Sequence, residues 1–182
     1  VKPANMGSSV GVVKVSGADA LDAAIETALK YDTKVVIEET IVGREIECSV
    51  LGNDDPVASA VGEIGTDDGF YSYEKKYIDE DGAALIIPAQ LDEETLERVR
   101  ETALAAFRVL ESRGMARVDM FLAEDGTIFV NEINTIPGFT AISMYPKLWL
   151  ESGLSYSDLI DRLIQLALEE HTAKSRLVTT GY

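Results

Sequence analysis

Arg117, Asp119, Glu132 and Asn134 are the side chains whose types and spacing carry chemistry. Residues 118–122 and 127–133 are rich in β-branched and aromatic residues, and Asp125-Gly126 between them is a strong two-residue hairpin signal. With those two residues as the turn, counting sets Glu124 opposite Thr127, Leu122 opposite Phe129, Asp119 opposite Glu132 and Arg117 opposite Asn134. Side chains alternate across a strand, so the four polar groups converge on one face. Opposed Cβ atoms lie roughly 5 Å apart, where two carboxylates repel each other. A hard divalent cation such as Mg²⁺, which takes oxygens from one or two carboxylates and from substrate phosphates, relieves that repulsion. Asn134 adds an oxygen ligand, Arg117 a fixed cation, and Pro137-Gly138 bends the chain directly afterwards. The alternative is a solvated sheet face on which acids are ordinary.

The elements that must position these groups are those of a globular protein. The 182 residues are 46% hydrophobic and 26% charged, enough for a core in one or two domains. No apolar run approaches a membrane span and no basic, apolar leader opens the chain, so a cytoplasmic address is expected. Cys48 has no second cysteine to pair with and reads as a packing residue, and the lone His171 as solvated. A net charge of −16 argues against nucleic acid, whose binding depends on Lys and Arg neutralising phosphates. Small phosphorylated ligands remain open, because a bound metal and a few lysines reverse the local potential.

In chain order, residues 5–11 (NMGSSVG) form a glycine-rich loop with backbone N–H groups and hydroxyls suited to phosphate oxygens, or a bare turn between strands. Residues 12–15 read as a strand. Residues 20–31 read as a helix with Leu21, Ala24, Ile25, Ala28 and Leu29 on one face and Ser16 or Asp19 as cap. Strands follow at 34–39, of buried type, and at 44–51 and 57–64. Residues 65–82 lose regular pattern yet hold three tyrosines, which points to a functional loop, with a mobile surface flap as the alternative. Residues 92–112 read as the clearest helix, stopped by Gly114, with Leu96, Val99, Ala103, Ala106, Phe107 and Leu110 as its stripe. After the hairpin comes a loop with Phe139, Thr140 and Ser143. A last amphipathic helix covers 154–171, on Leu159, Ile160, Leu163, Ile164 and Ala167, and a frayed tail follows Lys174.

VKPANMGSSVGV, EETIVGREIECSVLG, FYSYEKKY, RVDMFL and VNEINTIPGFT, in this order and spacing, resemble the D-alanine–D-alanine ligase family of the ATP-grasp superfamily. The resemblance covers essentially the whole chain and corresponds to the carboxyl-terminal portion of the family. It implies an α+β ATP-grasp fold with mixed or antiparallel sheets and packed helices. Residues 1–39 would be the remainder of the central domain with its glycine-rich phosphate loop, and 40–182 the carboxyl-terminal catalytic domain. The implied reaction uses ATP to phosphorylate one D-alanine and joins the acyl phosphate to the amine of a second, for peptidoglycan precursors.

Two magnesium ions are implied, with Mn²⁺ as a substitute: Asp119 and Glu132 on one, Glu132 and Asn134 on the other. Arg117 and the Gly138 N–H would stabilise the tetrahedral oxyanion. Lys2 would hold ATP phosphates, with Ser8 in the closing glycine loop. Glu38 would accept from the adenine amino group, Ile41 stand at the hinge and Glu45 meet the ribose. Lys76 and Tyr77 would belong to the lid, and Ser143 bind the second D-alanine's carboxylate. A homodimer is implied for the full-length enzyme. Competing readings are a nucleotide- or metal-binding module without turnover, a purely structural piece, and a ligase taking D-lactate or D-serine second, although Tyr77 leans toward D-alanine. Val1 falls inside a strand, so the chain alone is expected to lack turnover for want of upstream elements.

Overall fold

The computed structural model describes residues 1–65 and 84–178. Its contacts divide the chain into two units, one built on Val1–Val42 and the other on Gly43–Ile64 together with the chain from Leu85 onward.

In the first unit, β1 (Lys2–Pro3) pairs antiparallel with β2 (Val35–Val36), setting Lys2 opposite Val36. Residues 12–15 do not form the expected strand. Val13 exchanges backbone hydrogen bonds with Val1 at 2.9 and 3.0 Å, but no neighbouring pair extends the ladder. Ser8 and Ser9 hold positive φ (55° and 59°) ahead of Gly11 (72°), which turns the loop away from extended geometry. A 3₁₀ turn at Ala18–Ala20 leads into α1 (Leu21–Ala28), whose N-cap is Ala20, with no side-chain cap from Ser16 or Asp19. Ala24 and Ala28 are buried while Leu29 is exposed. The strand expected over 34–39 shrinks to two half-buried residues, with Ile37 exposed.

The second unit is a five-stranded sheet in the order β5-β4-β3-β6-β7, made of β3 (Gly43–Gly52), β4 (Val57–Gly65), β5 (Ala84–Ile86), β6 (Gly114–Ala123) and β7 (Ile128–Asn134). β3 pairs antiparallel with β4 and β6, and β6 antiparallel with β7. One face carries Ile46, Cys48, Val50, Ala116, Val118 and Met120, packed against Val99, Ala103 and Phe107 of α2 (Glu93–Val109). Asp92 caps α2 by accepting from the Thr95 N–H at 2.9 Å, which lowers its pKa. α2 ends before Gly114: Glu111 takes φ 50°, and Ser112 N–H reaches back to Phe107 O and Glu111 N–H to Arg108 O, a Schellman closure with glutamate at the left-handed position. Leu110 is therefore exposed rather than in the stripe.

The opposite face is covered at one end by α3 (Met144–Glu151) and α4 (Tyr156–Ser175), where Leu51 meets Tyr145, Trp149, Leu159 and Leu166. Tyr145 OH donates to Val50 O at 3.1 Å. α3 lies where a loop was expected. It comes close to β4 at Gly62, where a Cβ would stand 2.9 Å from Leu148 Cδ2 and Met144 Sδ. α4 begins at its Ser155 cap and buries Leu159 and Leu166, leaving Ile160 and Ile164 exposed, so its inward stripe is rotated from the expected one.

The hairpin differs from the simple count at its turn end and returns to it beyond a bulge. Ala123 N–H bonds Thr127 O, so Glu124, Asp125 and Gly126 form a three-residue loop with Gly126 at φ 81°. Phe121 then opposes Phe129, and Leu122 opposes Ile128, one residue away from the two-residue register. A bulge between Asp119 and Met120 inserts Asn131 on β7, and beyond it Asp119 opposes Glu132 and Arg117 opposes Asn134.

Candidate functional site

Register places three carboxylates in one row across three strands: Glu47 on β3 opposes Asp119 on β6, which opposes Glu132 on β7. The next row on that face is Ser49, Arg117 and Asn134. The alternation that sends Ile46, Cys48 and Val50 to α2 sends Glu47 and Ser49 to this side. Both are buried, as is Asp119, whereas Glu132 is exposed. The row thus runs from buried to open, and its open end faces solvent.

Arg117 grips Asp119 with two parallel hydrogen bonds, Nε to Oδ1 and Nη2 to Oδ2, both 2.7 Å. The same Nε stands 3.0 Å from Glu47 Oε2. Burial works to lower the Arg117 pKa, but the Asp119 hydrogen bonds and the charges of Asp119, Glu47 and Glu132 outweigh it and hold the guanidinium well above its ordinary value. Asn134 Nδ2 donates to Asp119 Oδ2 at 2.9 Å and to Glu132 Oε1 at 3.2 Å. Two carboxylate oxygens from facing strands therefore converge on one nitrogen.

That convergence tests the residues against a divalent cation. Asp119 and Glu132 already share a donor at one point, three carboxylates stand against one guanidinium, and turning the Asn134 amide brings its oxygen to the same place. The donor set suits a hard cation. Among the described residues no group of three or more His, Cys, Asp or Glu has metal-holding geometry, so the set is two carboxylates and an amide.

Glu45, on the same face two residues before Glu47, is half-buried between Ile64 and Phe121. Ser143 is the N-cap position of α3. Its Oγ accepts from Thr140 N–H at 3.0 Å and lies 2.9 Å from Thr140 Oγ1. Gly138 is its neighbour, with Ser143 Oγ 3.0 Å from where a Cβ would be. In the first unit, Lys2 Nζ pairs with Glu38 Oε1 at 2.7 Å, Ser8 is exposed in the glycine loop and Ile41 is half-buried. Lys76, Tyr77 and the rest of residues 66–82 lie outside the described residues. Glu47 escaped sequence reading, although its two-residue spacing from Glu45 and Ser49 placed it on the polar face.

The family model "D-ala D-ala ligase C-terminus" matches residues 1–165. The D-alanine–D-alanine ligase of Shouchella clausii is 58% identical over 182 residues, covering 100% of this chain and 50% of the relative. The structure resembles the D-alanine–D-alanine ligase of Coxiella burnetii with a TM-score of 0.84 at 39% identity, over 96% of this chain and 46% of that one. It resembles the VanG D-Ala:D-Ser ligase of Enterococcus faecalis with a TM-score of 0.82 at 44% identity, over 91% and 48%. The chain spans about half the length of the curated relatives it matches. No helix among the described residues is long and apolar enough to cross a membrane. Antiparallel sheet, packed helices and sequence agree: this chain has the α+β ATP-grasp fold and belongs to the D-alanine–D-alanine ligase carboxyl-terminal family.

Proposed function

We propose that this chain forms the catalytic half of a cytoplasmic ATP-dependent ligase that joins two D-alanines for peptidoglycan precursor synthesis, acting in a full-length homodimer. The observation that carries the reading is the convergence of Asp119 and Glu132 on Asn134 Nδ2 beside Arg117, in a chain 58% identical to a ligase of that name. In this reading residues 1–39 belong to the central domain and 40–182 to the catalytic domain.

Two Mg²⁺ ions would be held, one by Asp119 and Glu132 and the other by Glu132 and Asn134, and when bound they neutralise phosphate charge. Lys2 and Ser8 meet ATP phosphates, Glu38 and Ile41 the adenine, Glu45 the ribose, and Lys76 and Tyr77 serve in the lid. A carboxylate oxygen of the first D-alanine attacks the γ-phosphorus, the bond to ADP breaks, and an acyl phosphate results. The second D-alanine, its carboxylate on Ser143, attacks the carbonyl carbon with its amine. That attack forms the C–N bond, Arg117 and the Gly138 N–H stabilise the resulting oxyanion, and collapse restores C=O, breaks the C–O bond to phosphate and leaves the amine proton to solvent.

The full-length protein carrying this chain, given ATP, Mg²⁺ and D-alanine, yields D-alanyl-D-alanine, ADP and phosphate in equal amounts. ATP binding without dipeptide would favour a binding module. The 44% identity to a D-Ala:D-Ser ligase supports one rival second substrate, and adding D-serine in competition shows by the product ratio which amine is taken.

A further inference from the structure

We propose that Glu47 is a positioning residue that keeps the Arg117 guanidinium aimed once Asp119 is engaged elsewhere. The inference rests on the ligase reading for the role of Arg117, and on the structure for everything else.

Arg117 Nε carries one hydrogen and has two carboxylate oxygens within reach. Asp119 Oδ1 is at 2.7 Å and takes the hydrogen bond, and Glu47 Oε2 is at 3.0 Å. Asp119 has two demands on it, because its Oδ2, which accepts from both Arg117 Nη2 and Asn134 Nδ2, is the oxygen that would turn to a divalent cation. Glu47 cannot share that duty. Its side chain is 6% exposed and sits one strand further from Glu132, at the closed end of the row. A small shift of Nε–H from Asp119 to Glu47 leaves the guanidinium charge-paired and in place. Without Glu47, an Arg117 parted from Asp119 loses its nearest second acceptor, and a long side chain on a sheet face regains its rotamer freedom.

Glu47 lies on β3, whose neighbours fix it from both sides: Gly62 on β4 and Asp119 on β6. Its backbone is therefore anchored at the centre of the sheet, which suits a group whose task is to hold another still.

The test uses the full-length protein with Glu47→Gln, Arg117→Lys and the double variant. Glu47→Gln keeps size and an acceptor but removes the charge. It is expected to lower kcat for dipeptide by roughly ten- to hundredfold, the scale of misplacing a reacting group by about 1 Å, with KM for ATP little changed. In the Arg117→Lys background the same change is expected to cost little more, because Glu47 acts through Arg117. Additive losses in the cycle would overturn the proposal.

A second readout needs no turnover. The Arg117 Nε–H resonance, in protein saturated with Mg²⁺ and a non-hydrolysable ATP analogue, should be protected from exchange in the wild type, less so in Glu47→Gln, whose neutral amide is the weaker acceptor, and unprotected in Glu47→Leu, which offers none. Equal protection in all three would overturn the proposal. If the wild type makes no dipeptide, the ligase reading fails, and the resonance still decides whether Glu47 holds Arg117.

Discussion

Asp119 and Glu132 face each other across β6 and β7 and share a single donor, the Asn134 side-chain nitrogen, at 2.9 and 3.2 Å. Each member of this trio is placed by the ladder rather than by a flexible loop. A site on rigid elements holds its geometry before ligand arrives.

Removing the charge of the shared carboxylate should weaken the cation most. Glu132→Gln is expected to lower Mg²⁺-dependent nucleotide affinity by more than the roughly ten- to hundredfold typical of losing an outer-shell partner. Asn134→Asp, which keeps an oxygen, is expected to cost less. Isothermal titration of the full-length protein with Mg·ADP ranks the two, and the reverse order would contradict the assignment.

Arg117→Ala strips the cation from between Glu47 and Asp119, both buried. Leaving buried charge uncompensated should cost about 3–5 kcal/mol of stability, measurable by urea unfolding. Millimolar Mg²⁺ should restore part of that loss in the variant and add less to the wild type, because a cation then replaces the missing guanidinium.

Cys48 is fully buried against α2, and burial pushes its thiol pKa from 9.0 up to about 12. The folded state keeps its proton at pH values where the unfolded thiol has lost it. Stability from this group is complete below about pH 9.0 and falls as pH rises toward about 12. Native protein at pH 8 should not react with a thiol reagent, unfolded protein should, and Cys48→Ala should flatten the alkaline limb of the stability curve.

Glu111 holds a left-handed φ of 50° at the end of α2, a conformation that costs a side chain about 1–2 kcal/mol and glycine almost nothing. Glu111→Gly should therefore raise the melting temperature despite removing a charged surface residue. A lowered value would mean that the glutamate side chain contributes more there than its backbone costs.

The site was legible from sequence for a reason that local turn chemistry does not supply. A two-residue turn at Asp125-Gly126 puts Asp119 opposite Glu132, but the loop has three residues, and the bulge at Asn131 restores the same pairing. Two departures of one residue cancel, and the acids meet as counted. The short helix α3 was not legible: Pro146 stands in its first turn, and Met144, Tyr145, Leu148 and Trp149 are all buried, so no polar face marks a helical period. The same helix lies against Gly62, the strand partner of Glu47, on the face where Glu47 and Ser49 are buried. In α4, Ile160 and Ile164 fit an apolar stripe as well as Leu159 and Leu166 do, and only packing against Leu51 and Trp149 selects between them.

The central claim is that Asp119, Glu132 and Asn134 hold a divalent cation beside Arg117. Anomalous diffraction from crystals of the full-length protein grown with Mn²⁺ and ADP measures it directly. The expected result is a peak between the Asp119 and Glu132 carboxylates, at roughly 2–2.3 Å from their oxygens, with the Asn134 amide turned to present its oxygen. A peak elsewhere with these carboxylates still held by Arg117 and the Asn134 nitrogen would contradict it.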